Sequence, residues 1–452
     1  MTQAPTSAAF TRYLAVFLLL NGLVLNGILW AASPEPYKET VLNHTWDVLG
    51  ARGCDDSWGI MSISLEYARG KHDTPLYTEI FFNQHLKFQY PPSSLFAIAA
   101  LLWAAGPDRV RTEECTIFDT PTLNDVLGWA FILMSAFSAA SLLEMGLRGK
   151  LATPTPPFLR GVRVAIVVGF ALTFYPLVKA YTLGQIQVWL NGLFALALLC
   201  WATGFKAPSG LLIGLMCLVK PHYGIFVLWA ALRREWRFAV AFTATIAAGL
   251  TASITAYGFA NHLDYIPVLK YLAERGETFY PNQSVNGLLN RVMALIRPGE
   301  WDSINFDDHS FPPYSSLVYW GTLTTSILLL GTALIRRGTQ NDPTRLYDFC
   351  TMALSIAIAS PIAWEHHHGI MFPVLAVLLA ASVANRARLM TLAVCYVFIS
   401  NFIPATNLLA ASVFNVTQSY LFFAAIVVLA MLHTLRPGWQ ISAPAQPATN
   451  AR

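Results

Sequence analysis

Ten apolar stretches punctuate this chain, and the need to shield them from water constrains its fold more than any other feature. A helix needs about 17 to 25 residues to cross roughly 30 Å of hydrocarbon. Stretches near 12–31, 124–146, 161–181, 183–203, 237–259, 313–335, 347–361, 366–383, 388–404 and 418–434 meet or approach that length. Charged residues make up 12% of the 452 and hydrophobic ones 55%, whereas soluble globular chains are roughly 25% charged. The expectation is an all-α polytopic membrane protein with about ten full spans. Residues 1–436 read as one integral membrane domain, and 437–452, rich in Ala, Pro, Gln and Ser, as a disordered cytoplasmic tail.

Two further apolar segments resist the spanning reading. Gly106-Pro107 stops 93–106 after about 14 residues, and Lys220-Pro221 with Gly224 cuts 208–232 near its middle. The first reads as a short embedded helix and the second as a re-entrant hairpin of two half-helices, tolerated where protein covers the broken backbone. With the N-terminus inside as a signal anchor, the loops predicted to be cytoplasmic hold Arg148, Lys150, Arg160 and Arg163, then Lys206, then Arg233, Arg234 and Arg237. Arg336, Arg337 and Arg345, Arg386 and Arg388, and Arg436 follow the same pattern, as the positive-inside rule requires. A full span at 93–106 inverts every later loop and breaks this agreement.

Polar clusters gather on the other, extracytoplasmic side. Its large loops are 32–92 and 260–312, and an amphipathic stretch, Ser57 to Arg69, reads as lying in the interface with its apolar face toward acyl chains. Four cysteines (Cys200, Cys217, Cys350 and Cys395) fall in apolar spans and read as buried thiols. Cys54 and Cys115 both fall outside, where a disulfide between them is one option. The net charge of +4 is spread over short loops, which argues against a nucleic-acid partner.

The outer-side motifs come in a particular order. An Asp follows the first span, then the interfacial helix, a turn from Gly70 through Pro75 to Tyr77, and Tyr90-Pro91-Pro92 opening the short helix. Leu183-Gly184-Gln185, Lys220-Pro221 in the hairpin, Asn282-Gln283-Ser284, and Ser360-Pro361-Ile362-Ala363-Trp364-Glu365-His366-His367 complete the series. From about Asp56 to Phe372 this order resembles glycosyltransferase family 87. The resemblance implies a C-type glycosyltransferase fold and a polyprenyl-phosphate sugar, mannose foremost, as donor. It further implies a glycolipid or glycan acceptor, no cofactor, and one displacement with inversion at the outer face of a bacterial inner membrane.

Roles follow residue by residue. Transfer to a hydroxyl needs a base near the attacking oxygen; Asp56 matches the family's Asp, with Asp55 as fallback or as helix N-cap. His366 and His367 match its His-His pair, placed to stabilise charge on the departing phosphate. His368 is extra, and Glu365, where the family commonly has Pro, either orients an imidazole or caps the helix. Three consecutive imidazoles splay too widely to share an ion, so no metal is expected. Lys220 at the hairpin break, Lys179 at a span end and Arg291 after the Asn-Gln-Ser loop are phosphate candidates; Lys179 equally suits snorkelling. Gln185, Asn282 and Gln283 offer neutral donors and acceptors for sugar or acceptor hydroxyls. The absence of a Gly-rich phosphate loop or Asp-x-Asp motif speaks against a nucleotide-sugar donor. The competing reading, a transporter or flippase of lipid-linked sugars, calls for two related halves, and the sequence contains no such repeat.

Overall fold

The computed structural model describes residues 4–33, 38–110, 121–297, 311–335 and 344–435. Cys115, Arg336, Arg337, Arg436, the tail 437–452 and part of the second outer loop lie outside these residues. The described chain is all helix, with one isolated antiparallel bridge between Asn282 and Trp364.

Among the described residues, five helices are long and apolar enough to cross a membrane: Ser7–Ala32, Leu123–Leu147, Trp236–Tyr257, Ser316–Ile335 and Asn415–Thr434. A pair bent by 57°, Pro157–Leu172 and Tyr175–Thr182, makes a sixth if it counts as one crossing; Pro176 lies in the first turn after the break. Whole faces of these helices carry exposed apolar side chains, such as Leu19, Leu23 and Ile28 on the first and Trp320, Ile327 and Leu328 on the fourth. Exposed stripes of that size need a lipid neighbour.

The expected count of ten is not confirmed. The other four stretches are the helices Gln187–Ala202, Thr344–Ala359, Met371–Ser382 and Arg386–Ser400, of 16, 16, 12 and 15 residues. The third continues a 3-10 turn over Glu365–Ile370, and the others reach about 22 to 24 Å at about 1.5 Å per residue. Hydropathy runs on through residues that leave the helix: Gly184-Gln185 precedes the first, and Ser360 to Trp364 separates the second from the third. The embedded segment is Leu95–Ala105, 11 residues or about 17 Å, roughly half the hydrocarbon thickness.

The hairpin consists of Lys206–Val219, a tight turn Pro221–Ile225, and Phe226–Leu232. Both feet stand at the basic end of the bundle. Lys206 Nζ lies 3.1 Å from the centre of the Trp201 ring, whose Nε1 donates to Arg345 O at 3.3 Å. At the other foot Arg233 pairs with Asp348 and donates to Ala333 O and Leu334 O, while Glu235 pairs with Arg345 at 2.5 Å. The tip, Lys220, therefore reaches into the bundle and the chain returns.

One prediction for the amphipathic stretch needs correcting. On the helix Trp58–Arg69, Trp58, Met61 and Leu65 are at most 2% exposed, packed in a second apolar core with Leu76, Tyr77, Leu95 and Ile98. Its apolar face meets protein, and Ile63 remains on the outside, 46% exposed. A buried ion pair tests the hairpin anchor. Arg233→Met removes the guanidinium side of this buried pair with Asp348, and a loss of about 3–5 kcal/mol is expected, seen as a lower melting temperature in detergent. Adding Asp348→Leu should restore most of it.

Candidate active site

Gly184 sets the geometry of the first wall. Its φ of +68° suits glycine, and a Cβ there would lie 1.9 Å from the Cys54 carbonyl oxygen. The 54–57 segment uses this close approach to lie along the turn. Cys54 N–H donates to Thr182 O at 2.9 Å, Asp56 N–H to Leu183 O at 2.9 Å, and Ser57 N–H to Gly184 O at 3.2 Å. Cys54 is disulfide-bonded, while Cys200, Cys217, Cys350 and Cys395 are free.

Gln185 then fixes the carboxylate. Its Nε2 donates to Asp56 Oδ2, and its Oε1 accepts from Ser57 Oγ at 2.9 Å and Tyr90 OH at 3.0 Å. Tyr90 is in turn held by its backbone, whose carbonyl accepts from Tyr77 OH at 2.5 Å, while Tyr265 OH donates to Gln89 O at 2.9 Å. Asp56 is exposed to the hollow between the two walls. Burial in that setting raises its pKa, the Gln185 amide pulls it back, and Asp55 adds to the rise, leaving the carboxyl above its ordinary range.

The second wall is a strand-like pairing of two loops. Around the Asn282 to Trp364 bridge, Gln283 N–H donates to Ala363 O at 2.8 Å and Glu365 N–H to Pro281 O at 2.9 Å. Asn282 Nδ2 donates to Glu277 O and Pro361 O, and its Oδ1 accepts from Ala363 N–H at 3.0 Å. Gln283 Nε2 serves Tyr280 O and Gln418 O, and Arg291 donates to Tyr280 O and Asn282 O. Asn282, Gln283 and Arg291 are 0% exposed, and none lines the hollow. Sequence reasoning assigned them to sugar and phosphate; the structure engages their polar groups in backbone that has left its helices.

Out of this wall come the histidines. His366 and His367 line the hollow, and His367 Nε2 sits 2.7 Å from Lys220 Nζ at the hairpin tip. His368 turns away, 0% exposed, with Nδ1 3.3 Å from Trp364 O. Glu365 faces neither imidazole; it points back to accept from Tyr175 OH at 3.0 Å. Lys179 is also off the wall, donating to Glu39 at 3.0 Å, and Glu39 lies 2.6 Å from His44.

Between the walls lies a cavity of about 690 Å³. Asp55, Asp56, Gln185, Lys220, His366 and His367 meet on it. The rest of its surface divides between polar groups and apolar ones such as Ile60, Leu269, Leu330 and Ile356. Lys87, Tyr90, Trp364 and His222 also face it, and sequence reasoning gave them no chemical role. Lys87 Nζ lies 3.4 Å from the fully buried Glu277, which accepts from Trp364 Nε1 at 2.8 Å. Burial pushes the Glu277 carboxyl up, against the pull of Lys87 and the indole. Lys87 and Glu277 are 190 positions apart, so only the folded chain reveals the pair.

The cavity brings a carboxylate and an ammonium–imidazole pair together with apolar side chains. The chain belongs to glycosyltransferase family 87, whose model matches residues 88–361, and is accordingly a membrane glycosyltransferase. It is 26% identical over 330 residues, 70% of the chain and 67% of the relative, to a polyprenol-phosphate-mannose-dependent alpha-(1-2)-phosphatidylinositol mannoside mannosyltransferase of Mycolicibacterium smegmatis. Its counterpart of that name in Mycobacterium tuberculosis is 25% identical over 316 residues, 68% of the chain and 65% of the relative. The chain thus spans about two thirds of the length of these curated relatives. No solved structure matches.

Two substitutions test the first wall. Gly184→Ala drives a methyl into the Cys54 carbonyl, and a loss of about 2 kcal/mol or more is expected, read as a lower melting temperature. Gln185→Leu removes the bond that lowers the Asp56 pKa. The midpoint of Asp56 ionisation, followed by carboxyl infrared absorption against pH, should therefore move upward, by about half a unit to one unit.

Proposed function

We propose that the protein transfers mannose from a polyprenyl-phosphate donor to an acceptor hydroxyl, with inversion, on the extracytoplasmic side of a bacterial inner membrane. The observation that carries this reading is the cavity shared by Asp56 on one wall and Lys220, His366 and His367 on the other. The names of the two relatives support the donor and a glycolipid as acceptor.

Asp56, with Asp55 beside it, takes the acceptor proton as the hydroxyl oxygen attacks the anomeric carbon. The bond from that carbon to the phosphate oxygen breaks on the opposite face, and polyprenyl phosphate leaves. Charge balances: the negative charge lost by Asp56 is gained by the phosphate, which goes from monoanion to dianion. Lys220 and the two imidazoles receive it. Gln185 acts through Asp56, holding one oxygen so that the other meets the acceptor. The outer placement is supported by the helices themselves: the stretch that begins at Gln185 ends near Trp201 and Arg345, and the one that ends at Ser360 begins near Arg345. The cavity thus sits at the end of the bundle away from the basic residues, which the positive-inside rule assigns to the cytoplasm.

The experiment is transfer from synthetic polyprenyl-phosphate mannose by protein in lipid nanodiscs, with phosphatidylinositol mannoside among the acceptors. Asp56→Asn is expected to lower kcat by about 10²-fold to 10⁴-fold with an unchanged melting temperature. Full transfer by folded Asp56→Asn ends the assignment of the base. Wild-type protein that leaves the mannosyl donor intact but consumes another polyprenyl-phosphate sugar corrects the sugar alone.

A further inference from the structure

The hairpin tip carries more than its lysine. After the extended Lys220, Pro221 starts a tight turn over Pro221–Ile225 that packs against the helix Thr344–Ala359. Successive residues of such a turn point about 120° apart. Tyr223 points into the core, 2% exposed, and His222 points elsewhere, onto the cavity wall with Lys220 and His367. Its ring touches that of the adjacent Tyr223 and makes no hydrogen bond among the described residues. The other imidazole at the tip is already engaged: His367 Nδ1 accepts the Trp364 N–H at 3.2 Å and Nε2 meets Lys220.

Lys220, His222 and His367 line the same cavity as the apolar Val219, Leu330 and Ile356, and the chain passes from Val219 directly to Lys220. A lipid phosphate is bonded directly to its tail, so it settles where polar lining gives way to apolar. Ring N–H and ammonium groups at that boundary donate charge-assisted bonds to its oxygens.

We infer that His222 is a ligand of the donor's lipid phosphate beside Lys220, whose ammonium His367 holds at the tip of the re-entrant hairpin; this rests on the reading that the donor is a polyprenyl-phosphate sugar. The tail then runs along the hairpin side, over Leu330 and Ile356, and the sugar extends toward Asp56. Transfer leaves one more negative charge on the phosphate than the donor had. His222 therefore contributes more to holding the product, polyprenyl phosphate, than to holding the donor.

The test uses the full chain in nanodiscs and compares binding of a short polyprenyl phosphate with that of the matching polyprenol, by calorimetry. Wild-type protein is expected to prefer the phosphate. His222→Ala should weaken the phosphate by roughly tenfold, the value of one such bond, and leave the polyprenol unchanged. If His222→Ala does not purify folded, His222→Phe keeps a ring without N–H and carries the same comparison. A variant that keeps the wild-type preference for phosphate, or loses both ligands equally, overturns the role of His222. Wild-type protein that binds polyprenol as tightly as the phosphate instead overturns the donor reading, so the two failures are told apart.

Discussion

The 54–57 segment lies directly on the turn at Gly184, and the rest of the site depends on that contact. Three backbone bonds and one missing side chain bring Asp56 within reach of Gln185. Gln185 also gathers Ser57 and Tyr90, so the loop before the first wall, the start of the 187–202 helix and the entry to the short embedded helix share one amide. Any side chain at 184 lifts the loop and separates all three.

The second constraint is the one that lipid places on broken helices. Backbone groups outside a helix must find partners inside the protein. Here the unwound stretches at 277–284 and 360–365 satisfy each other through a bridge, and Asn282, Gln283 and Arg291 supply what the bridge does not. The same breaks present Trp364, His366 and His367 to the cavity. Irregular backbone is thus both what the site is made of and what the buried amides exist to stabilise. Asn21 and Asn26, which bond Asn401 on the far side of the bundle, do comparable work between helices.

These two constraints explain how much of the protein was legible beforehand. Helix content, the short embedded segment and the break at Lys220 were readable because apolar length and Pro or Gly interruptions are local properties. The number of crossings was not, since an apolar stretch does not show how many of its residues are helical, as at Gly184-Gln185 and Ser360-Pro361. Asp56, Gln185, Lys220, His366 and His367 could be picked out because each falls in a motif that resembles the family's. Asn282 and Gln283 fall in one too and Arg291 follows it, and a motif alone does not separate a side chain that meets a ligand from one that meets a carbonyl. Lys179 was open to phosphate binding or snorkelling, and the folded chain pairs it with Glu39, 140 positions away. Lys87, Glu277 and His222 gave no signal because their meaning lies in neighbours distant along the chain.

The hairpin has both feet clamped at the basic end, by Trp201, Asp348 and Arg345, while Asp56 hangs from loops at the other. The 14-residue helix Lys206–Val219 is therefore a ruler, fixing how deep Lys220 lies relative to the carboxylate. One residue inserted into it would advance the tip by about 1.5 Å and swing the lysine by about 100°. Replacing a wall side chain changes one contact, whereas changing the length of that strut moves the lysine itself.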